Sequence, residues 1–420
     1  MPTFQTSPGM RDVLAPESAR WRRVTAVFAD VVESAGYQQI IPPIMEDLGV
    51  FTRIGEATDV VTKEMYDFVD KGDRHVALRP EQTASVCRAF VEHRPVTPWK
   101  AWYSGPNFRY EKPQRGRYRQ FDQVGIEVLG VDDPHLDVEV IALGWEFYRR
   151  LGLQQVQLVV NSLGEPDDRA RYIEALRAYF EAADGLSDQS RTTLAKNPLR
   201  VLDSKRPQDA AIIADAPTIA EFWSDGARTH FEAVQAGLDV LGIPYTVDMK
   251  LVRGLDYYRH TTFEFVGGTL ESAQNALGGG GRYDGLVEAL GGPATAGIGF
   301  ALGVERALIA CDDEGVFPAP DPAVAAFVID TTGGEHALAI TTELRSAGIP
   351  ADRAYEQRSM KAQMKAADRS GAAYAVIVGT DELEAGTVVV RPLRSQADQV
   401  AVARDELVTD LQQRIQEAIQ

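Results

Sequence analysis

Cysteine is nearly absent from the sequence: Cys87 and Cys311 are the two such residues in 420. Two distant thiols make no disulfide framework and suit a reducing cytoplasm better than an oxidising compartment. Histidine is also sparse, six residues without HxxxH spacing, and no CxxC pair exists, so nothing signals a zinc site. No apolar run reaches the length of about 18 residues that a bilayer-spanning helix needs. The segment MPTFQTSPGMRDVLAPESARW lacks the cationic start and apolar core of a secretory signal. The expectation is a soluble, cytoplasmic protein with no membrane partner. Two glycine-rich stretches lack what a nucleotide fingerprint requires. LGGGGRYDGL has no GK[ST] ending, and GIGFALGVER is not GxGxxG followed at the right distance by an acid, so neither supports a Walker or Rossmann site.

Cations are in short supply as well. Lysine and arginine number 43 against 61 acids, a net charge of -18 that repels a polyanion over most of the surface. Any nucleic-acid contact must therefore be local, and one stretch offers it. NFRYEKPQRGRYRQFDQVGIEVLG (107–130) gathers Arg109, Lys112, Arg115, Arg117 and Arg119 around one acid, Glu111. A solvated, salt-bridged hairpin is the plain alternative for such a charge run.

At 420 residues, with 45% hydrophobic and 25% charged residues, the chain has the size and composition of two or three globular domains. Residues 17–35 carry apolar side chains at helical spacing, and Gly36 is placed to end that helix. YQQIIPPIMED reads as a short strand stopped by Pro42 and Pro43. Strands are expected at 75–79, 100–109 and 120–129, with a helix from about Thr83 to Glu92. Short strands joined by hairpin-like loops favour an antiparallel sheet. A helix at 135–150 and the strand QVQLVVNSLG follow, and residues from about 166 to 245 are mainly helical, an insertion between sheet strands. The acidic, proline-rich DDEGVFPAPDPAV (312–324) reads as an interdomain linker. Beyond it, VAAFVID, EHALAITTELRSAG, SMKAQMKAADRSG, AYAVIVG, TVVVRPL and ARDELVTDLQQRIQEAIQ alternate strand and helix as a compact α/β domain. The expected fold is thus an α+β domain on an antiparallel sheet over 1–322, with a helical insertion, and an α/β domain over 323–420.

Side chains alternate faces along a strand. Over Gln120–Leu129 this puts Phe121, Gln123, Gly125, Glu127 and Leu129 on one face, and Asp122, Val124, Ile126 and Val128 on the other. The second face is mostly apolar and packs inward. The first presents an amide and a carboxylate about Gly125, whose missing side chain leaves room for a small ligand; a partly exposed polar face with a bulge glycine fits the same residues. Glu127 favours a cationic or N–H-bearing group, and Gln123 can both donate and accept. In ALRPEQTAS, Thr83 is placed to cap a helix, and Glu81 beside it to pair an ammonium. In LVRGLDYYRHTTFEF, Arg253 at a short turn suits a carboxylate or phosphate, because its planar fork fixes geometry as well as charge. A surface turn with Tyr257 and Tyr258 filling core is the alternative there. GIGFALGVER runs a small-residue strand into a helix bearing Arg306, compatible with a flat base or phosphate against the backbone or with tight strand-helix packing alone.

In order along the chain, these segments resemble the class II aminoacyl-tRNA synthetases and, among them, the histidyl-tRNA synthetase family. GYQQIIPPIMED is similar to motif 1, the dimer-interface helix and strand, and FRYEKPQRGRYRQFDQVGIEVLG to motif 2, two antiparallel strands and their loop. GIGFALGVERALI is similar to motif 3, and LVRGLDYY with GGGGRYDGL to the two histidine-specific signatures. The resemblance covers nearly the whole chain and implies activation of L-histidine with ATP, then transfer to the 3′ end of tRNA(His), by a homodimer joined through motif 1. It implies that Arg109 and Arg253 are catalytic cations on the α-phosphate, that Glu111, Arg117 and Arg306 help bind ATP, and that Mg²⁺ accompanies the β- and γ-phosphates. Glu81, Thr83 and Gln123 would hold the α-ammonium, with Glu127, Tyr257 and Tyr258 around the imidazole. Arg115 and Arg119, with Lys112, would meet the tRNA acceptor end, residues 323–420 would bind the anticodon, and no metal site of protein ligands alone is implied. Where the family usually has a glycine this chain has Gln82, and a positive φ there would strain glutamine. The alternative is a synthetase-like regulatory subunit of ATP phosphoribosyltransferase, which typically lacks the second domain and has an eroded RGLDYY segment. A histidine-sensing RNA-binding protein without catalysis would have lost Arg109, Arg253 or Arg306, and all three are present.

Overall fold

The computed structural model describes residues 4–53, 60–252, 257–269, 275–320, 324–356 and 358–419. Arg253 therefore lies outside the described residues. Two compact units, Met1–Pro318 and Ala319–Gln420, divide the chain.

The first unit is organised by an eight-stranded sheet in the order Gln38–Gln39, Trp99–Phe108, Gln120–Leu129, Gly297–Gly303, Ala276–Arg282, Arg259–Gly267, Val156–Ser162 and Tyr245–Val247. All neighbours are antiparallel except the pair at each edge. Helices Glu17–Glu33, Pro134–Arg150, Asp225–Val240 and Val304–Glu314 contribute to the core that includes one sheet face. Their sequences dictate this. In Asp225–Val240, Ala227, Phe231, Val234 and Leu238 recur every three or four residues and all are buried. At the centre, the Phe28 ring lies edge-on to Trp102, Phe147 and Phe300, with centroids 5.3 to 6.1 Å apart. Each such aromatic pair adds about 0.5 to 1.5 kcal/mol beyond simple burial.

Helix Thr83–His93 closes the other sheet face, with Val86 packed against Ala101 and Tyr103. The helical stretch between Val156–Ser162 and Tyr245–Val247 splits between two cores: Tyr172, Leu176, Phe180 and Leu194 form a separate cluster, whereas Phe231, Val234 and Leu238 join the main one.

Two readings of the sequence need correction, and one is extended. The short strand of YQQIIPPIMED, Gln38–Gln39, pairs with Ala101 and Trp102 and ends before the prolines, and beyond them Met45–Asp47 pairs with Val76–Leu78 in a separate three-stranded sheet. The prolines between lack N–H donors, and Arg79 binds the carbonyls of Pro42 and Pro43 instead, at 2.7 and 3.3 Å. The linker begins later than 312, because helix Val304–Glu314 continues to a left-handed Gly315 and Phe317 is buried in the main core. Gln82 has φ -114°, which any residue adopts, so glutamine is unstrained there.

The second unit is a five-stranded mixed sheet, Ala351–Arg353, Ala326–Asp330, Tyr374–Val378, Thr387–Pro392 and Val400–Ala403, with the first three strands parallel. Helices Glu335–Ser346 and Leu407–Ile419 cover one face, and Met360–Arg369 the other.

Candidate active site

The hairpin of strands Trp99–Phe108 and Gln120–Leu129 sets the site. Its register places Tyr103 opposite Gly125, Gly105 opposite Gln123 and Ala101 opposite Glu127; on the far side Gly299 pairs Glu127 and Gly303 pairs Gln123. Paired residues share a face, so Phe121, Gln123 and Glu127 look into a cavity of about 690 Å³, while Val124, Ile126 and Val128 enter the core. Glu81, Thr83, Arg109, Glu111, Arg117, Tyr257, Tyr258 and Arg306 line the same cavity. The strands that floor it carry mainly small residues, Gly279, Gly299, Ala301 and Gly303, with the Glu264 carboxylate on the strand beside Gly279. A larger hollow of about 780 Å³ between helices Pro134–Arg150 and Asp225–Val240 is lined largely by apolar residues such as Val138, Leu143 and Val240, and offers little chemistry.

Glu127 is wholly buried at one end. Its Oε1 accepts from Thr83 Oγ1 at 2.7 Å and Tyr103 Oη at 3.2 Å, and its Oε2 accepts a short bond from Tyr283 Oη. Burial pushes its carboxyl up to about 8, although these hydroxyls pull the other way. The space over Gly125 is not a ligand pocket, as its sequence position implied: a Cβ there would meet the Tyr103 ring 2.4 Å away. At Gly299, an added Cβ would lie 1.9 Å from Glu127 Oε2, so a side chain would take the place of the carboxylate.

Thr83 is not the N-cap. Gln82 holds that position without a side-chain bond, and Glu81 accepts from the backbone N–H of Thr83 at 2.7 Å and of Ala84 at 2.9 Å. A carboxylate there satisfies orphan donors and faces the positive end of the helix, which frees the Thr83 hydroxyl for Glu127. Burial raises the Glu81 pKa; these backbone bonds and Arg109 oppose the rise. Gln123 Oε1 accepts from Asn107 Nδ2 at 2.8 Å, which aims its amide. The rings of Tyr257 and Tyr258 lie 4.7 Å apart, and Tyr257 meets Tyr283 edge-on at 5.8 Å.

The opposite end is cationic. Arg109 donates through Nε to the Pro80 carbonyl at 2.9 Å and lies 5.2 Å over the Phe121 ring; among the described residues its terminal nitrogens donate no hydrogen bond and meet no carboxylate. Arg306 reaches the carbonyls of Gly116 at 3.0 Å and Ala276 at 2.6 Å, tying the hairpin loop to the sheet. Burial lowers its pKa, reinforced by Arg117 and Arg109. Arg117 grips Glu111 with two nitrogens, and although burial opposes it, that bond holds Glu111 below the ordinary carboxylate range. Arg119 sits 3.8 Å over the Tyr110 ring, donating to the Glu111 carbonyl, and Arg115 pairs Asp313 at 2.6 Å while largely exposed. The plain reading of a salt-bridged hairpin thus describes Arg115 and Arg117, but not Arg109.

Tyr103, Tyr283, Asn107 and Glu305 escaped sequence reasoning. Glu305 accepts from the Asp122 N–H at 3.0 and 3.1 Å, and burial lifts it to about 7. These contacts join residues distant in sequence, and the only local signal was Tyr283 within GGGGRYDGL.

The description "Histidyl-tRNA synthetase" belongs to a family model that matches residues 9–307, and "Anticodon binding domain" to one that matches 323–414. A histidine–tRNA ligase of Rhodococcus erythropolis is 48% identical over 416 residues, covering 97% of both chains. One from Mycobacterium marinum is 46% identical, covering 98% of this chain and 99% of its own. The crystal structure of apo Staphylococcus aureus histidyl-tRNA synthetase superposes with a TM-score of 0.82 at 37% identity, over 97% of this chain and all of that one.

Proposed function

The chain belongs to the histidyl-tRNA synthetase family, and we propose how its residues carry out that family's reaction. The protein is a ligase that activates histidine with ATP and transfers it to tRNA. The observation that carries the residue assignment is the polarity of one cavity: a buried carboxyl ringed by hydroxyls at one end, and Arg109 with Arg306 at the other, across a floor of mainly small residues.

Histidine lies with its ring toward Glu127 and Tyr258, beside Tyr257, and its ammonium near Glu81, Thr83 and Gln123. ATP lies over the glycine floor, with Arg306, Arg117 and Glu111 at the nucleotide and Arg109 at the α-phosphate. The histidine carboxylate attacks the α-phosphorus, the bond to the bridging oxygen breaks, and pyrophosphate leaves; Mg²⁺ on the β- and γ-phosphates would offset charge on that leaving group. Negative charge growing on the α-phosphoryl oxygens meets Arg109 and, by sequence, Arg253. Removing one such group typically costs about 3 to 4 kcal/mol of transition-state stabilisation. The tRNA 3′-hydroxyl then attacks the activated carbonyl and AMP departs. Lys112, Arg115 and Arg119 belong to the loop that receives the acceptor end.

A catalytic domain over 1–322 and an anticodon-binding domain over 323–420 complete the reading, in a cytoplasmic homodimer joined through residues around 37–47. No helix of the described residues is long and apolar enough to cross a membrane. The regulatory-subunit alternative is not favoured, since a second region matches the anticodon-binding family. Histidine-dependent ATP–pyrophosphate exchange, run against all twenty amino acids, tests the proposal. Exchange with histidine alone is expected, and its absence would sink the assignment.

A further inference from the structure

The three hydroxyls around Glu127 come from three different elements. Thr83 opens helix Thr83–His93, Tyr103 sits within strand Trp99–Phe108, and Tyr283 directly follows strand Ala276–Arg282. An ionised carboxylate offers about four lone-pair sites. Two on Oε1 are taken by Thr83 and Tyr103, and one on Oε2 by Tyr283. The remaining site is on Oε2, an oxygen that fits against strand Gly297–Gly303 because residue 299 has no side chain: a Cβ there would lie 1.9 Å from it.

The titratable groups around Glu127 are Glu81, Cys87, Tyr37, Tyr103, Tyr257 and Tyr283. Glu81 opposes ionisation of Glu127, and no described lysine or arginine forms an ion pair with it. Hydroxyl donors are thus what favours the charged form. Burial holds the phenols of Tyr103 and Tyr283 well above the ordinary tyrosine range, so both keep the proton they donate.

We infer that Tyr283, assisted by Tyr103 and Thr83, is a positioning residue that leaves Glu127 one free acceptor site, and that this selects an amino acid whose ring directs a single N–H at it. The inference rests on the histidine-pocket reading above. A ligand without that N–H leaves a buried carboxylate short of a partner, the situation in which polar sites discriminate most strongly.

Tyr283→Phe removes the donor and keeps the ring. In ATP–pyrophosphate exchange, KM for histidine should rise roughly 10- to 100-fold, as expected for a lost bond to a charged group, while KM for ATP stays within about twofold. The acid limb of kcat/KM for histidine should move to higher pH, because an anion that loses a donor is harder to form. Tyr103→Phe, which loses the longer bond, should give a smaller change of the same kind. A folded Tyr283→Phe enzyme with unchanged histidine KM and an unmoved acid limb overturns the inference, as does a loss confined to kcat. Should that variant fail to fold, Tyr103→Phe and Thr83→Val answer through the same limb. Glu127→Gln separates the two levels of argument. If it leaves histidine KM unchanged, the pocket assignment fails; if it raises KM while Tyr283→Phe does not, the hydroxyl role alone falls.

Discussion

Replacing Glu127 by glutamine should make the ligand-free protein more stable as it destroys function. The wild-type carboxyl is fully buried and titrates near 8, against an ordinary glutamate value of 4.5. The folded state therefore holds a proton that the unfolded chain gives up at lower pH. Stability from the neutral carboxyl is complete below about 4.5 and is lost as pH rises toward 8, at about 1.4 kcal/mol per pH unit. Across that window the loss is on the order of 5 kcal/mol, an upper figure because water entry and local relaxation soften it. Glutamine never ionises. Its oxygen can accept from Thr83 and Tyr103, and its NH₂ can donate to Tyr283 once that hydroxyl turns. Urea unfolding of Glu127→Gln and wild type, without ligand, at pH 5, 7 and 9 provides the measurement. The variant's advantage should be small at pH 5 and reach several kcal/mol at pH 9, while histidine-dependent exchange is lost. A stability difference independent of pH would refute the argument, because it would mean that Glu127 is not the group ionising at this cost.

Arg109→Ala should lower exchange by roughly 10²- to 10³-fold with histidine binding, read by calorimetry, changed little; parallel loss of both would mean that Arg109 holds the pocket rather than the phosphate. Arg115→Ala, an exposed partner of Asp313, should leave exchange intact and weaken aminoacylation, with a shallower salt dependence; unaltered tRNA transfer would remove it from the acceptor contact. Phe28→Ala opens a cavity among Trp102, Phe147 and Phe300 and should cost about 3 to 5 kcal/mol in chemical unfolding, far more than removal of a surface residue.

What could be read from the sequence and what could not divide along physical lines. Strand Gln120–Leu129 was legible to its ends, because strict alternation is a local signal and one face is apolar. Helix Thr83–His93 was legible too, but its cap was assigned to the wrong residue. Threonine is a common N-cap, and only tertiary structure shows that Glu81 takes the helix donors and leaves the hydroxyl for Glu127. Gly125 was misread for the same reason, since the Tyr103 ring that occupies its space arrives from the neighbouring strand. The short strands Ala351–Arg353 and Val400–Ala403 are too brief to show a period.

The concentration of cations in so acidic a chain is clarified by what each cation touches. Arg117 is gripped by the partly buried Glu111 and helps hold the hairpin loop in shape, whereas Arg115 pairs Asp313 but stays largely exposed, where a phosphate can reach it. Arg306 is spent partly on backbone carbonyls, which fixes its position at the edge of the glycine floor. Arg109, like Arg306, forms no ion pair with a described carboxylate, and it is aimed by one backbone bond and one aromatic face. Glu64, Glu81 and Glu111 attract this guanidinium without pairing it directly, so its terminal nitrogens stay available to an arriving anion. The same logic applies in mirror image to Glu127, a carboxyl without a described cation at the other end of the cavity. Each end is thus short of one partner of opposite kind, and a ligand that supplies an N–H to one and a phosphate to the other relieves both at once.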